Sequence, residues 1–246
     1  MAQAARRITN FSLQPGEKLG GKYVVEDFMG GGVQGEVYKV VEKRTRIRRA
    51  AKIFYPRGNE QDRAARSYAR KLDRLRDCPL IIQYHHAESL EIQGLAVTCL
   101  FSDFVDGIML SDFVAAHPGA RLQPFEALHV IYPIVCGIEQ IHAAHEYHGD
   151  LHEQNILIRP TGITFDIKIV DFFDHGRSSG AHRRDDIVDI TRLLHTMVGG
   201  SRYYARQPAA IKSVCLGLRR DRVYAHFPNA TRLRKHLEQL DWRELF

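Results

Sequence analysis

The chain has 246 residues and a formal net charge of +6, with 44% hydrophobic and 26% charged residues. This length and composition exclude a disordered chain or a disulfide-stabilised miniprotein and predict one large domain or two small lobes. The apolar runs are too short to span a membrane, and residues 1–12 lack the apolar centre of a secretory signal. We therefore expect a cytoplasmic protein without a membrane partner. The separated cysteines Cys78, Cys99, Cys136 and Cys215 are predicted to be buried free thiols.

The positive charge is concentrated in the first half of the chain. It lies in one short segment and in a predicted helix, which together contain Lys43, Arg44, Arg46, Arg48, Arg49, Arg63, Arg66, Arg70, Lys71, Arg74 and Arg76. Such a basic surface attracts nucleic acid, an acidic protein or a phosphate-rich ligand. The alternative is a solvated helix face that nearby acids balance, which charge runs more often are.

Predicted strands dominate residues 1–104, and predicted helices dominate residues 105–246. Strand patterns occur in YVVEDFM, GEVYKVVE, RRAAKIFY, IIQYHHAESLEI and LAVTCLFSDFV, with one helix from Asn59 to Arg76. Later helices are predicted in MLSDFVAAH, PFEALHVIYPIVCGIEQIHAAH, DDIVDITRLLHTMV and NATRLRKHLEQL. Between them, the strands NILIRP and DIKIVDF are joined by the turn residues Thr161 and Gly162. The boundary between the two patterns indicates a β-rich lobe followed by a helical one.

A glycine-rich turn and a lysine in the first lobe indicate a phosphate site. Gly30, Gly32 and Gly35 lie between two strand patterns rather than ahead of a helix, which argues against a dinucleotide fingerprint. At a hairpin tip, glycines let backbone amides close over phosphates, although such a hairpin is more often only a turn. Lys52 lies within the apolar strand RAAKIF, where a bound phosphate would supply the negative charge it needs. A lysine extending from a strand edge is the alternative.

The stretch YHGDLHEQNILI places polar groups directly ahead of an apolar strand. If Asp150 orients an attacking hydroxyl and accepts its proton while Asn155 binds magnesium, their five-residue interval brings both to one phosphoryl centre. Leu157 would then face a nucleotide base. Asp171 ends the next strand and is predicted to reach the same metal, because carboxylate and amide oxygens suit Mg²⁺. Each acid alone is compatible with a turn or a helix cap, but their order together favours phosphoryl transfer.

These motifs, in this order, resemble those of the protein kinase-like superfamily over nearly the whole chain. The resemblance rests on Gly30, Gly32, Gly35, Val37, Ala50, Lys52, His148, Asp150, Asn155, Asp171 and Phe172. It implies an α+β, two-lobed kinase-like fold. Residues 1–104 would form an antiparallel β-sheet N-lobe with an N-terminal extension, the glycine-rich loop, five strands and the C-helix. Residues 105–246 would form a mainly α-helical C-lobe with the catalytic and metal-binding loops, ending in HFPNATRLRKHLEQL, which is similar to the last helices of bacterial serine/threonine kinases.

The resemblance also implies roles, with ATP and Mg²⁺ as cofactors. Lys52 would hold the α and β phosphates, Asp150 would be the catalytic base, and Asn155 and Asp171 would be the metal ligands. Ser102 would be the gatekeeper, with the backbone of Asp103 and Val105 against adenine. The nucleotide-binding set would be Gly30, Gly32, Gly35, Val37, Ala50, Lys52, Ser102, Asp103, Val105 and Leu157. Asp186 matches the acid that anchors the catalytic loop of kinases.

Several positions depart from the kinase pattern. Gly149 replaces the arginine that would bind an activating phosphate, and His152, a third candidate catalytic residue, replaces a lysine beside the γ-phosphate. The resulting HGDLH is closer to aminoglycoside and choline kinases. Phe173 stands where a flexible glycine is expected, and no APE-like sequence lies between Asp171 and Asp186. The peptide-docking platform is therefore largely missing.

The predicted C-helix lacks the acid that usually pairs with the lysine. Tyr68 or Ala69 stands at that position, and Glu60 and Asp62 lie about two turns away. The helix is therefore shifted, or Lys52 pairs elsewhere, with Asp171 as the candidate.

Three functions stay open from the sequence. We favour an ATP-dependent phosphotransferase that acts on protein serine or threonine. A kinase for a small hydroxyl acceptor or for RNA is the second, and a nucleotide-binding pseudokinase scaffold is the third. A zinc site at His142, His145 and His148 is not favoured, because the spacing fits zinc only loosely and His148 is expected to pack under Phe172.

Overall fold

The computed structural model describes residues 10–174, 176–241 and 243, which divide into two compact units. The first unit contains the described residues up to Arg76 together with Ile82–Val105. The second contains Asp77–Ile81 and the described residues from Asp106 onward. In the described part of the chain, we find no helix that combines the length and the apolar character needed to cross a membrane.

A six-stranded antiparallel sheet forms most of the first unit. Its spatial order is β1-β2-β3-β4-β6-β5. The strands are Lys18–Leu19 (β1), Tyr23–Gly31 (β2), Gly35–Glu42 (β3), Arg48–Phe54 (β4), Tyr84–Ile92 (β5) and Leu95–Asp103 (β6). The last five correspond to the predicted strands. The two-residue β1 is additional, because it is too short to show an alternating pattern in the sequence.

One α-helix, α1 (Arg63–Arg74), packs against this sheet. It begins four residues later than predicted, because Glu60–Asp62 form a 3₁₀ turn in which Gln61 and Asp62 have positive φ angles. The buried face of α1 includes Tyr68 and Leu72. Its exposed face carries Arg63, Arg66, Arg70 and Arg74.

The opposite face of the sheet is covered by the N-terminal segment Asn10–Leu13. Alternation along β4 points Ala51 and Ile53 to this face and Lys52 to the face of α1. Phe11 is only 1% exposed and belongs to the same apolar cluster as Ile53. The N-terminal segment is therefore part of the folded core of the first unit.

In its described residues, the second unit has seven α-helices and a small antiparallel sheet of order β7-β8-β9. The strands are Ile108–Met109 (β7), Ile156–Thr161 (β8) and Thr164–Ile169 (β9). The helices are Leu110–Ala115 (α2), Pro124–Ala143 (α3), Gly180–Met197 (α4), Gly200–Tyr204 (α5), Ala209–Cys215 (α6), Arg220–His226 (α7) and Ala230–Glu238 (α8).

Local sequence explains several of these boundaries. Pro124 opens α3 at a position where its missing N–H is not needed. Helix α4 begins five residues before the predicted Asp185, because the Ser179 side chain caps it by accepting the N–H of His182 at 3.2 Å. Gly162, with a φ of 60°, makes the tight turn between β8 and β9.

The cysteines are free, as predicted, and three of the four are buried. Cys136 is the exception: it is partly exposed on α3, close to the exposed Tyr132. Burial raises the pKa of the thiols of Cys78, Cys99 and Cys215, which makes them poor nucleophiles.

Candidate active site

The glycine-rich turn joins β2 to β3 in the first unit. The N–H of Gly32 donates to the carbonyl oxygen of Gly35 at 2.9 Å and closes the turn. A Cβ on Gly35 would lie 2.0 Å from the carbonyl oxygen of Ile53, so only glycine allows this approach of β3 to β4. Around Gly30, which has a φ of 148°, and Gly32, no described atom lies within 4 Å of a Cβ position. The backbone of the turn is therefore open to a ligand.

Four predicted nucleotide-binding side chains share the α1 face of the sheet. In the antiparallel register, Val37 pairs with Lys52 and Ala50 pairs with Ser102. Paired residues and residues two apart in a strand point to the same side. The fold thus brings together side chains that lie up to 65 residues apart in the sequence.

The chain leaves the sheet directly after Asp103. β6 ends at Asp103, whose N–H donates to the carbonyl oxygen of Gln83 at 3.0 Å and whose carboxylate lies 2.7 Å from His85 Nε2. Residues 104–107 belong to no strand or helix, and Val105 is the last residue of the first unit. Of the two predicted adenine contacts, Asp103 is therefore the last residue of the sheet and Val105 lies in the segment that follows it.

Lys52 is 9% exposed, and its ammonium group faces aromatic rings. Nζ lies 4.5 Å from the ring centroid of Tyr68 on α1 and 5.6 Å from that of Phe54. Tyr68 is one of the two positions at which the sequence places the missing C-helix glutamate. The negative face of an aromatic ring attracts a cation, so Tyr68 stabilises the lysine where a carboxylate was expected.

Glu60 and Asp62, the two acids that precede that helix position, are held elsewhere. Glu60 accepts the backbone N–H of Gly58 at 3.0 Å, and Asp62 accepts a hydrogen bond from the Thr98 hydroxyl on β6. Both lie at the 3₁₀ turn ahead of α1, so the late start of the helix explains why they do not take the glutamate's place.

In the second unit, Asp186 on α4 anchors the loop that precedes β8. Its side chain is fully buried and accepts the backbone N–H groups of His148 and Gly149, both at 2.8 Å. The same carboxylate lies 2.9 Å from Nε2 of His142. A buried carboxylate requires such donors, and in return it fixes the backbone ahead of Asp150. The kinase resemblance implied this role for Asp186.

Burial also affects a second acid of α4. Burial, together with the nearby charges of Asp186 and Asp185, raises the pKa of Asp189 to about 6. Arg192, at 3.0 Å, opposes the shift. The acids that gather behind the loop therefore favour proton uptake at Asp189.

Asp150, His152 and Asn155 lie together in the loop. Nδ2 of Asn155 donates to the backbone carbonyl of Asp150 at 2.8 Å and lies 3.4 Å from its carboxylate. Nε2 of His152 lies 3.5 Å from the Asp150 carboxylate and 3.0 Å from Asn155 Nδ2. The Asp150 side chain is 52% exposed, so an incoming hydroxyl can reach it. Asn155, only 7% exposed, fixes the geometry of the cluster.

Backbone hydrogen bonds tie Asp171 to the same cluster. The carbonyl oxygen of Asn155 accepts the N–H of Val170 at 2.9 Å, and the Val170 carbonyl oxygen lies 2.9 Å from His148 Nε2. Asp171 follows with a φ of 58°, which is unusual for a residue with a side chain and marks a constrained position. Phe172 is buried 4.8 Å from the His148 ring, as predicted.

The donor atoms of this cluster fit a magnesium ion. Because the Asn155 amide nitrogen donates to Asp150, its Oδ1 points away and is the atom that would bind a metal, together with the Asp171 carboxylate. Two hard oxygen ligands suit Mg²⁺, which takes its other ligands from water and phosphate. In the described residues, no group of three or more histidine, cysteine or acidic side chains could hold a metal. Leu157 follows on β8, partly exposed and paired with Lys168.

A family model described as the protein kinase domain matches residues 23–214. The serine/threonine-protein kinase PrkC of Bacillus subtilis is 27% identical over 160 residues, 64% of this chain and 23% of PrkC. Death-associated protein kinase 2 of Mus musculus is 27% identical over 201 residues, 80% of this chain and 51% of that protein. The chain thus spans about a half of this kinase's length and less of PrkC's.

Solved structures show the same fold. A crystal structure of the Mycobacterium tuberculosis PknI kinase domain is similar, with a TM-score of 0.66 and 19% identity. The match covers 92% of this chain and 97% of the PknI chain. This likeness confirms the kinase-like α+β fold that the motifs predict.

Proposed function

Because the chain belongs to the protein kinase domain family, we propose that it transfers the γ-phosphoryl group of MgATP to a serine or threonine hydroxyl of a protein. One observation carries the proposal: Asp150, Asn155 and His152 lie within hydrogen-bonding range of one another, on a loop that the buried Asp186 anchors. The similarity to serine/threonine kinases supports protein as the acceptor.

In the first unit, the proposed roles concern the nucleotide. The backbone amides of Gly30, Gly32 and Gly35 and the ammonium of Lys52 bind phosphate oxygens. The apolar surfaces of Val37 and Ala50, with Ser102 and the backbone of Asp103 and Val105, hold the adenine. These groups position the triphosphate, which accounts for much of catalysis in phosphoryl transfer.

In the second unit, the proposed roles concern the reaction itself. Asp150 orients the hydroxyl and accepts its proton, and Asn155 and Asp171 hold Mg²⁺ through oxygen. Once bound, Mg²⁺ neutralises negative charge on the phosphate groups. His152, beside the Asp150 carboxylate, helps to position the γ-phosphoryl group, and Leu157 packs on the base.

Phosphate transfer from labelled ATP tests this function directly. We expect the purified chain with Mg²⁺ to label serine or threonine in a mixed protein pool. Asp150→Ala and Asp171→Ala should each reduce the rate about a thousandfold or more, because each removes a group needed in the transition state. Glu153→Ala, in the same loop, is the matched control and should keep the wild-type rate. Full activity in either aspartate variant, with the fold verified by circular dichroism, would refute the assignment.

Two alternatives have specific support. The exposed Arg63, Arg66, Arg70 and Arg74 favour an RNA acceptor, which the same assay detects as labelled RNA with strongly salt-dependent binding. The tyrosine in place of a C-helix glutamate favours a pseudokinase scaffold. Nucleotide binding without transfer to protein, RNA, a metabolite pool or the chain itself would support that alternative.

A further inference from the structure

Glu36 is a buried carboxylate at the start of β3, next to the glycine-rich turn, and the proposed reaction does not use it. Its side chain is 5% exposed. Oε1 accepts the hydroxyl of Tyr55 at 2.9 Å, and Oε2 accepts the hydroxyl of Tyr38. The backbone N–H of Phe11 lies 3.1 and 3.2 Å from the two oxygens. A buried charge held by three donors is costly to disturb, because each lost donor leaves it less compensated.

The three donors connect the glycine-rich turn to separate parts of the first unit. Tyr38 belongs to β3, Tyr55 directly follows β4, and Phe11 belongs to the N-terminal segment Asn10–Leu13. Tyr55 holds the turn a second time, because its backbone N–H donates to the carbonyl oxygen of Gln34 at 3.0 Å. Glu36 therefore links the glycine-rich turn both to the end of β4 and to the N-terminal segment.

The N-terminal segment is firmly docked at this point. The Phe11 ring stacks on Tyr55 with centroids 5.3 Å apart, and Gln93 donates to the Phe11 carbonyl oxygen at 2.8 Å. The N–H of Leu13 donates to the Tyr38 hydroxyl oxygen at 3.2 Å. Burial and the bond to Glu36 raise the pKa of Tyr55 to about 12, so this hydroxyl stays protonated and remains a donor near neutral pH.

We propose that Glu36 is a positioning residue for the nucleotide phosphates and that the segment Asn10–Leu13 sets their affinity through it. This inference rests on the proposed function. Glycines make the turn flexible, and ordering a flexible turn around a ligand costs conformational entropy. The clamp at Glu36 holds one end of the turn in place before the nucleotide binds. Its donors therefore strengthen the binding of phosphates without touching them.

The test compares ATP with adenosine, which has no phosphates. Glu36→Gln keeps the side-chain shape but removes the charge. Its amide NH₂ group also places a donor against the donors of Tyr38, Tyr55 or Phe11. We expect the affinity for ATP with Mg²⁺ to fall about tenfold, which corresponds to about 1.4 kcal/mol, while adenosine affinity changes less than twofold. Glu42→Gln, at the other end of β3, is the matched control and should leave both affinities unchanged. Phe11→Ala should act in the same direction as Glu36→Gln.

The outcomes separate this inference from the function on which it rests. Equal losses for ATP and adenosine would show a purely structural role for Glu36 and overturn the inference, as would an unchanged affinity for ATP. A wild-type chain that binds neither compound would overturn the proposed function and the inference with it. If Glu36→Gln does not fold, Tyr55→Phe gives the same readout, because it keeps the ring against Phe11 and removes one donor.

Discussion

The two units hold their candidate functional groups by different means. In the second unit, the buried Asp186 accepts the N–H groups of His148 and Gly149, the two loop residues directly ahead of Asp150. In the first unit, the glycine-rich turn is held by Glu36, whose donors come partly from the N-terminal segment around Phe11. The loop thus supplies backbone donors to a carboxylate on a helix, whereas the turn is followed by a carboxylate that receives donors from Tyr55 and from the N-terminal segment.

The lysine and the aspartate show the same contrast. Lys52 lies against the aromatic ring of Tyr68, whereas Asp150 lies among the polar groups of His152 and Asn155. An aromatic ring attracts a cation without carrying a net charge, which is compatible with the proposed binding of phosphate by Lys52. We therefore expect changes in the first unit to affect nucleotide affinity and changes in the second unit to affect the rate of transfer.

Asp186→Asn should give the largest effect and is the strongest challenge to this contrast. An asparagine replaces one acceptor oxygen with a donor, which then faces the N–H of His148 or Gly149. We expect the free energy of unfolding to fall by about 3 kcal/mol, since a buried charged hydrogen bond is lost. The transfer rate should fall about a hundredfold, because a small displacement of catalytic groups is costly.

Denaturant unfolding and single-turnover rates measure both effects. Asp185→Asn is the matched control on the same helix, where an exposed ion pair with Arg220 should contribute about 1 kcal/mol or less. A variant of Asp186 with a raised KM for ATP and an unchanged transfer rate would break the proposed division between the units.

Tyr68→Leu should give a smaller effect, confined to the first unit. Leucine keeps an apolar side chain but offers no negative ring face to Lys52. We expect the KM for ATP to rise about fivefold, consistent with a cation–π interaction of about 1 kcal/mol, and kcat to change less than twofold. Tyr68→Phe keeps the ring face and is the matched control, expected to behave as wild type. A drop in kcat with unchanged KM would contradict the assignment of Lys52 to nucleotide binding.

The sequence predicts the fold and the candidate site best where the order and spacing of motifs are sufficient. The strand patterns and the ordered motifs predict the fold, and Asp186 is identified by its place in the resemblance. The contact of Lys52 with Tyr68 could not be predicted, because the motif comparison shows only that an acid is missing. Tyr68 lies on the buried face of α1, and its approach to the ammonium to 4.5 Å requires the folded packing of α1 on the sheet.

The clamp at Glu36 is invisible to motif reasoning for a different reason. Its donors Phe11 and Tyr55 lie 25 and 19 residues away, and Phe11 falls in a segment without any strand or helix pattern. The sequence offers one modest signal. Glu36 lies two residues before Tyr38 in the same strand, so its side chain points to the same buried face as that of Tyr38. Long-range pairing of polar side chains requires the fold.

Two ion pairs with the same helical spacing provide the smallest and most controlled comparison between the units. Asp189 and Arg192 lie 3.0 Å apart on α4, and Asp73 and Arg76 lie 3.1 Å apart at the end of α1. The Asp189 side chain is 23% exposed, whereas that of Asp73 is 61% exposed. Burial of Asp189 should make the first pair sensitive to pH.

Burial raises the pKa of Asp189 from an ordinary value of 3.8 to about 6, so the folded chain holds this proton more tightly than the unfolded chain does. The stability contributed by the proton is complete below pH 3.8 and is lost as the pH rises through 6. Asp189→Asn removes this loss. The stability of the variant, measured relative to that of wild type, should therefore increase by about 1 kcal/mol from pH 5 to pH 7.5. Urea unfolding of both proteins at the two pH values measures this change, and Asp73→Asn is the control for removal of an exposed ion pair with the same spacing. If the stability difference between Asp189→Asn and wild type were the same at both pH values, Arg192 would fully compensate the buried carboxylate. Burial of Asp189 would then not destabilise the folded chain at neutral pH.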